Sequence, residues 1–149
     1  MSPSIVAAVP AHMNELKANL RARDAQEIID FGSSIEESFR LTWRRSLLTK
    51  TVLAGGRVVA VFGVGGAATG GTGQPWLLTT GLFERFPVFV LREARRETLE
   101  WLRIFERLES LVDAGYSQAC GFLEHIGYTL DPPRPIATGI NVRRFWMER

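Results

Sequence analysis

The chain has 149 residues, 46% of them hydrophobic and 23% charged, the make-up of an ordinary globular domain that can bury a core without disulfides or metals. Eighteen Lys and Arg against sixteen Asp and Glu leave a net charge of +2, too balanced for a nucleic-acid binder. A lone Cys120 excludes an internal disulfide, and two distant histidines, His12 and His125, form no zinc cluster.

The first residues, MSPSIVAAVPAHMNELK, lack the basic start and apolar stretch of a signal peptide, so a cytoplasmic fate is expected. Residues 4–9 predict a short strand closed by Pro10, and 11–20 a helix with Met13, Leu16 and Leu20 on one face. Asp24 and Glu27 form a D-x-x-E capping box for a short helix that Gly32 stops. Ser34 and Glu37 repeat the box and open a helix to about Leu48, with Ile35, Phe39, Trp43 and Leu47 as its core stripe. KTVLAGGRVVAVFGV then reads as two strands around a Gly55-Gly56 turn, and PWLLTT (75–80) as another strand. No charge interrupts Val58 to Phe83, but seven glycines and Pro75 lie within it, which argues strand, loop and strand over a membrane helix.

Pro87 suits the first turn of a long helix running to about Leu108, with an apolar face from Val88 to Leu108. Its opposite face carries Arg92, Glu93, Arg96, Glu97, Glu100 and Arg103, the pattern of a solvated surface. Residues 110–115 predict a strand and turn, 116–128 a helix ended by Gly127, and 140–149 a final strand after a proline-forced loop. No linker or repeat divides residues 1–149, which makes one α+β domain.

Four places carry candidate chemistry. Gly63, Gly65 and Ala68 spell G-x-G-x-x-A, but Gly70 to Pro75 cannot start the helix that a dinucleotide site needs. Gly66 and Gly71 have P-loop spacing, with Thr72 where lysine is required. The segment reads as a loop joining two strands. Tyr116, Cys120 and His125 offer an acid, a nucleophile and a base near one helix. Thr79 and Thr80 end a strand ahead of the long helix, where a ligand can pair with exposed backbone, or where the strand simply stops.

The element order and the late HIGYTL with Gly127-Tyr128 resemble the GNAT family of N-acetyltransferases. LRARDAQEI (20–28), AVFGV (60–64), GQPWLLTTGLFERFPVFVLREAR (73–95), LVDAGYSQACGFLEHIGYTL (111–130) and the terminal RRFWMER resemble more closely a GNAT-like family of tailed, mainly short-tailed, bacteriophages, of the internal virion protein type. The resemblance implies an acyl-CoA N-acyltransferase fold, a central mixed and mostly antiparallel sheet flanked by helices. It places acetyl-CoA at the end of the fourth strand, here Leu78, Thr79, Thr80 and Gly81, and a general acid near Tyr116. The chain departs from the family at the diphosphate loop: Q/R-x-x-G-x-G/A is missing, only Gly81 remains, and Pro87 removes an N–H donor. Gly115-Tyr116 stands where enzymes of the family carry an asparagine.

The resemblance therefore implies a virion or morphogenesis component with a degenerate acetyl-CoA site and no cofactor. Its partners would be other phage structural proteins or a host protein, and no nucleic acid or membrane. Arg143, Arg144 and Trp146 are candidate contact residues, with Trp146 as readily a core residue. An oligomer within the virion fits this reading, and so does a location in virion or host cytoplasm. The alternatives are an active acetyl-CoA-dependent acetyltransferase acting on a protein or small-molecule amine, and a small modulator of one host protein. No metal site is expected.

Overall fold

In the computed structural model, which describes residues 1–66 and 70–149, the apolar runs pair into one sheet. The hairpin of β2 (Ser46–Ala54) and β3 (Arg57–Gly65) turns at Gly55 and Gly56, whose φ values of 57° and 74° are those a two-residue turn of this hand requires. β1 (Pro3–Ala7) pairs antiparallel with β2 as an edge strand. On the other side of β3, β4 (Thr72–Thr79) is antiparallel, in register from Ala60↔Thr79 to Gly65↔Gln74. Every residue of β3 from Val58 to Gly65 is buried, which is why this strand reads as an unbroken apolar run and not an alternation.

Connections supply the helices. Between β1 and β2 lie α1 (Pro10–Ala18), α2 (Ala22–Asp30) and α3 (Ile35–Arg45), and α4 (Pro87–Trp101) joins β4 to β5 (Arg107–Asp113). α5 (Ser117–Ile126) then leads to β6 (Thr129–Leu130), β7 (Arg134–Pro135) and β8 (Asn141–Glu148). Among the described residues the sheet has eight strands in the order β1-β2-β3-β4-β5-β8-β6, with β7 also on β8. Two cores form on its two faces. Met13, Leu16, Ile28 and Phe39 pack on one face against Val58, Val61, Trp76 and Leu78. Val90, Ala94, Trp101, Cys120 and Ile126 pack on the other against Phe62, Val64 and Leu77. Leu77 and Leu78 thus go to opposite faces, as the strand period requires.

Several boundaries differ from the sequence expectation: β4 starts at Thr72 and not at Pro75, β5 at Arg107 and not at residue 110, and β7 lies within the expected proline loop. α3 stops at Arg45 because Ser46 is already extended (φ −77°, ψ 133°), and Leu47 and Leu48 enter β2. The expected stripe is therefore short: Phe39 is buried, while Trp43 and Leu47 stay partly exposed. α4 ends at Trp101; Phe105 lies in the following turn and Leu108 in β5, both fully buried. α2 starts at Ala22, so Asp24 stands inside its first turn and caps nothing. Ser34 does cap its helix, its Oγ accepting the Glu37 N–H at 3.1 Å. Among the described residues no helix is long and apolar enough to cross a membrane.

Candidate active site

β4 and β5 run parallel but pair only at Thr72↔Arg107 and Gly73↔Leu108, and then diverge. The backbone groups on the β5 side of β4 belong to alternate residues. Gly71 O accepts the Arg107 N–H at 3.0 Å, Gly73 pairs next, and the following residue on that side is Pro75, which has no N–H to give. The ladder stops there. Gly73 also marks the apex: a Cβ on it would stand 2.7 Å from the Phe105 ring and 2.9 Å from Val64, so only glycine lets the layers close. Beyond Pro75, Leu77 turns its N–H and C=O into the gap.

One face of α2 spans the open end of this gap. The Thr79 N–H and hydroxyl, at the end of β4, donate to Asp24 Oδ2 at 2.8 and 2.6 Å. The Arg21 N–H donates to Thr79 O at 2.9 Å. At the end of β5, the Asp113 N–H donates to Glu27 Oε2 at 3.0 Å, and Arg23 Nη2 meets the Asp113 carboxylate at 3.0 Å. The D-x-x-E spacing puts Asp24 and Glu27 one helical turn apart on a common face, so each carboxylate holds one of the diverging strands. Tyr116, which follows β5, donates its hydroxyl to Asp24 Oδ1 at 2.6 Å and accepts from Arg21 Nη2. The Arg23 guanidinium lies 4.5 Å from the centre of the Tyr116 ring, and that of Arg21 5.0 Å from the Phe83 ring.

Behind this clamp is a cavity of about 210 Å³. Arg21, Asp24, Glu27 and Tyr116 form its polar side, with Trp76 and Phe122 among its apolar lining. Burial pushes the Glu27 carboxyl up to about 7; the Asp113 N–H opposes this, and the negative charges of Asp24 and Asp113 add to it. A carboxyl that titrates near neutrality in a cleft can take a proton at physiological pH. Burial, then the hydrogen bond to Asp24, raise the Tyr116 phenol above its ordinary value, so it stays protonated.

Of the residues singled out in the sequence, Leu78, Thr79 and Tyr116 line the cavity together. Thr79 is buried, and both its backbone groups are held by α2. Thr80 is buried too; its N–H donates to Val59 O at 3.0 Å, and its hydroxyl donates to Val58 O at 2.8 Å. Gly81 is exposed at the head of a short 3-10 turn, Gly81–Arg85, with open space around it. Cys120 is buried, its thiol pushed up by burial. His125 is exposed, with Nδ1 2.7 Å from Gly121 O. Neither lines the cavity, so the structure does not assemble Tyr116, Cys120 and His125 as a set. Gly63 is a packing glycine whose Cβ would stand 2.5 Å from Leu48 O; Ala68 lies outside the described residues.

Arg143 and Arg144 hold the residue 130–131 turn. Trp146 donates to Asp131 Oδ1 at 2.9 Å and stacks under Arg107 at 4.5 Å. Arg21, Asp24 and Glu27 are the residues that sequence reasoning missed as a site. Their three-residue spacing was visible, but a capping box explains the same letters.

The sequence resemblance implies a CoA thioester, and the two halves of such a molecule fare differently here. The gap suits a slender amide-bearing arm, with Leu77 offering one donor and one acceptor between apolar walls. The start of α4 does not suit a diphosphate. Its first residue is Pro87, which has no N–H, and the N–H groups of its N-cap Phe86 and of Val90 already donate to Phe83 O at 3.0 Å and Phe86 O at 3.1 Å. Only the Val88 and Phe89 N–H groups remain, and no glycine allows close approach.

A mixed sheet splayed between its fourth and fifth strands, with three helices before the hairpin and one after each splayed strand, is the fold of the GNAT acetyltransferases. No family model and no curated protein matches the chain, but solved structures do. A crystal structure described as a putative phosphinothricin N-acetyltransferase has a TM-score of 0.70 at 14% identity, covering 99% of this chain and 98% of that one. A GNAT-family acetyltransferase from Streptococcus pneumoniae gives 0.67 at 15%, covering 99% of each chain. Spermidine N-acetyltransferase from Vibrio cholerae, solved with CoA and spermine, gives 0.72 at 10%, covering 98% and 95%. At these identities the likeness is one of fold.

Proposed function

We propose that this chain transfers an acyl group from a thioester donor of the acetyl-CoA type to an amine in the gap between β4 and β5. The observation that carries the reading is Glu27, a carboxyl poised near neutrality at the open end of a gap that the strands themselves create. Bound donor would supply the acyl group as an activated thioester, its arm held by Leu77 and the apolar walls. Glu27 then takes the proton that the amine loses as its nitrogen bonds to the acyl carbon. Tyr116, kept protonated between Asp24 and Arg21, delivers a proton to the sulfur as the carbon–sulfur bond breaks. Cleft geometry supplies the remainder by holding amine and thioester together. Release of free thiol from acetyl-CoA in the presence of an amine panel tests this. The rate should rise through a single ionisation near pH 7 that the Glu27→Gln variant lacks; thiol release that is absent, or whose pH profile is unchanged in the variant, refutes it.

A second reading keeps the fold and discards the chemistry: a virion or morphogenesis component of a tailed phage, with a degenerate cofactor site. It is favoured by the start of α4, where Pro87 removes a donor, and by Thr79, whose backbone α2 already occupies. Its partners would be phage structural proteins or a host protein, with Tyr116 serving only as a packing and hydrogen-bonding residue. Mass spectrometry of purified particles would find the chain, and millimolar acetyl-CoA would leave its melting temperature unchanged.

A further inference from the structure

The polar side of the cavity holds an arginine whose donors outnumber the acceptors around it. Arg21 lines the cavity, and its side chain is 14% exposed. Its Nη2 donates to the Tyr116 hydroxyl, while among the described residues its buried Nε has no partner. Asp24 does not satisfy it. That carboxylate is 3.9 Å away, and its oxygens already accept from Thr79 twice and from Tyr116 once. A buried guanidinium left this way costs free energy unless a ligand supplies oxygens, and its planar fork matches a carboxylate. The Phe83 ring at 5.0 Å fixes its plane.

We propose that Arg21 receives a carboxylate on the acceptor, so that the acceptor is an amino acid with an apolar side chain. The proposal rests on the acyl-transfer reading above and adds the substrate class. Arg21, the N-cap residue of α2, and Glu27 both line the cavity, six residues or about 9 Å apart along the helix axis. That span fits a short molecule carrying both an anion and an amine better than a long polyamine. The apolar lining, with Trp76, Leu78 and Phe122, suits an aliphatic or aromatic side chain.

The test compares L-phenylalanine with L-phenylalaninamide and phenethylamine as acceptors for wild-type protein and acetyl-CoA, following free thiol. The amino acid should be favoured by about tenfold or more in kcat/KM, and Arg21→Met should erase that preference while Arg21→Lys keeps part of it. Equal rates for the three acceptors overturn the proposal. If no acceptor is turned over, the acyl-transfer reading falls, and calorimetry then decides the anion site separately. Binding of N-acetyl-L-phenylalanine, but not its amide, with loss in Arg21→Met protein of unchanged melting temperature, supports the site. Equal binding or no binding of the two ligands overturns it.

Discussion

At the open end of the β4–β5 gap, two carboxylates one turn apart on α2 hold the last residue of each diverging strand. At the start of α4, some residues further along, the first helical position is a proline and no glycine opens the backbone. The first region uses buried carboxylates to accept the Thr79 and Asp113 N–H groups that the splay leaves without a strand partner. The second region has an ordinary helix start with no anion cradle. On the proposed acyl-transfer reading, recognition of the reacting end and of the nucleotide end would be separable, since they rest on different elements and different backbone chemistry.

Breaking the first region should have the largest effect. Glu27→Gln is expected to lower kcat/KM about 10²- to 10⁴-fold, the usual worth of a positioned general base, in a thiol-release assay at pH 7.5. Asp24→Ala removes the acceptor for Thr79 and Tyr116 and leaves Arg21 without a nearby anion. The expected loss is about 3–5 kcal/mol of stability, read as a fall in melting temperature of roughly 6–20 °C. Next comes pH. Glu27 has a folded value near 7 against an ordinary 4.5, so the folded state holds a proton that the unfolded chain releases first. The contribution of Glu27 to stability should therefore be greatest below pH 4.5, decline between 4.5 and 7 by up to about 3 kcal/mol, and level off above. In denaturant titrations the Glu27→Gln variant should lack this decline.

The smallest effect sharpens the other side of the comparison. With no diphosphate cradle at α4, acetyl-CoA and acetyl-pantetheine should differ by less than about threefold in kcat/KM, since removing an interaction that is not made changes nothing. A preference for acetyl-CoA of a hundredfold would show that Val88, Phe89 or nearby arginines bind the nucleotide after all.

Much of the scaffold was legible because its signals are local. Gly55-Gly56 specifies a turn through positive φ, Ser34 and Glu37 a helix start, Gly127 a helix stop, and Val58 to Val64 a buried central strand. Boundaries at Ser46 and Trp101 were not, because strand pairing of Leu48 with Val64 and of Arg107 with Glu148 overrides helix-compatible letters. Glu93 was read as part of a solvated face, yet it is 4% exposed and accepts from Arg96 at 3.1 Å. A helix wheel does not say how far the neighbouring sheet reaches round it.

The sequence by itself determined the α+β class, the hairpin, the central strand and the missing diphosphate loop, since each depends on a residue's own backbone freedom or hydrogen-bonding groups. Only the tertiary structure decided what D-x-x-E is for. A capping box and a clamp across two strands need the same two carboxylates at the same spacing. Which one forms depends on where the helix begins and on what lies opposite it, here Thr79 and Asp113, 55 and 86 residues away from their partners.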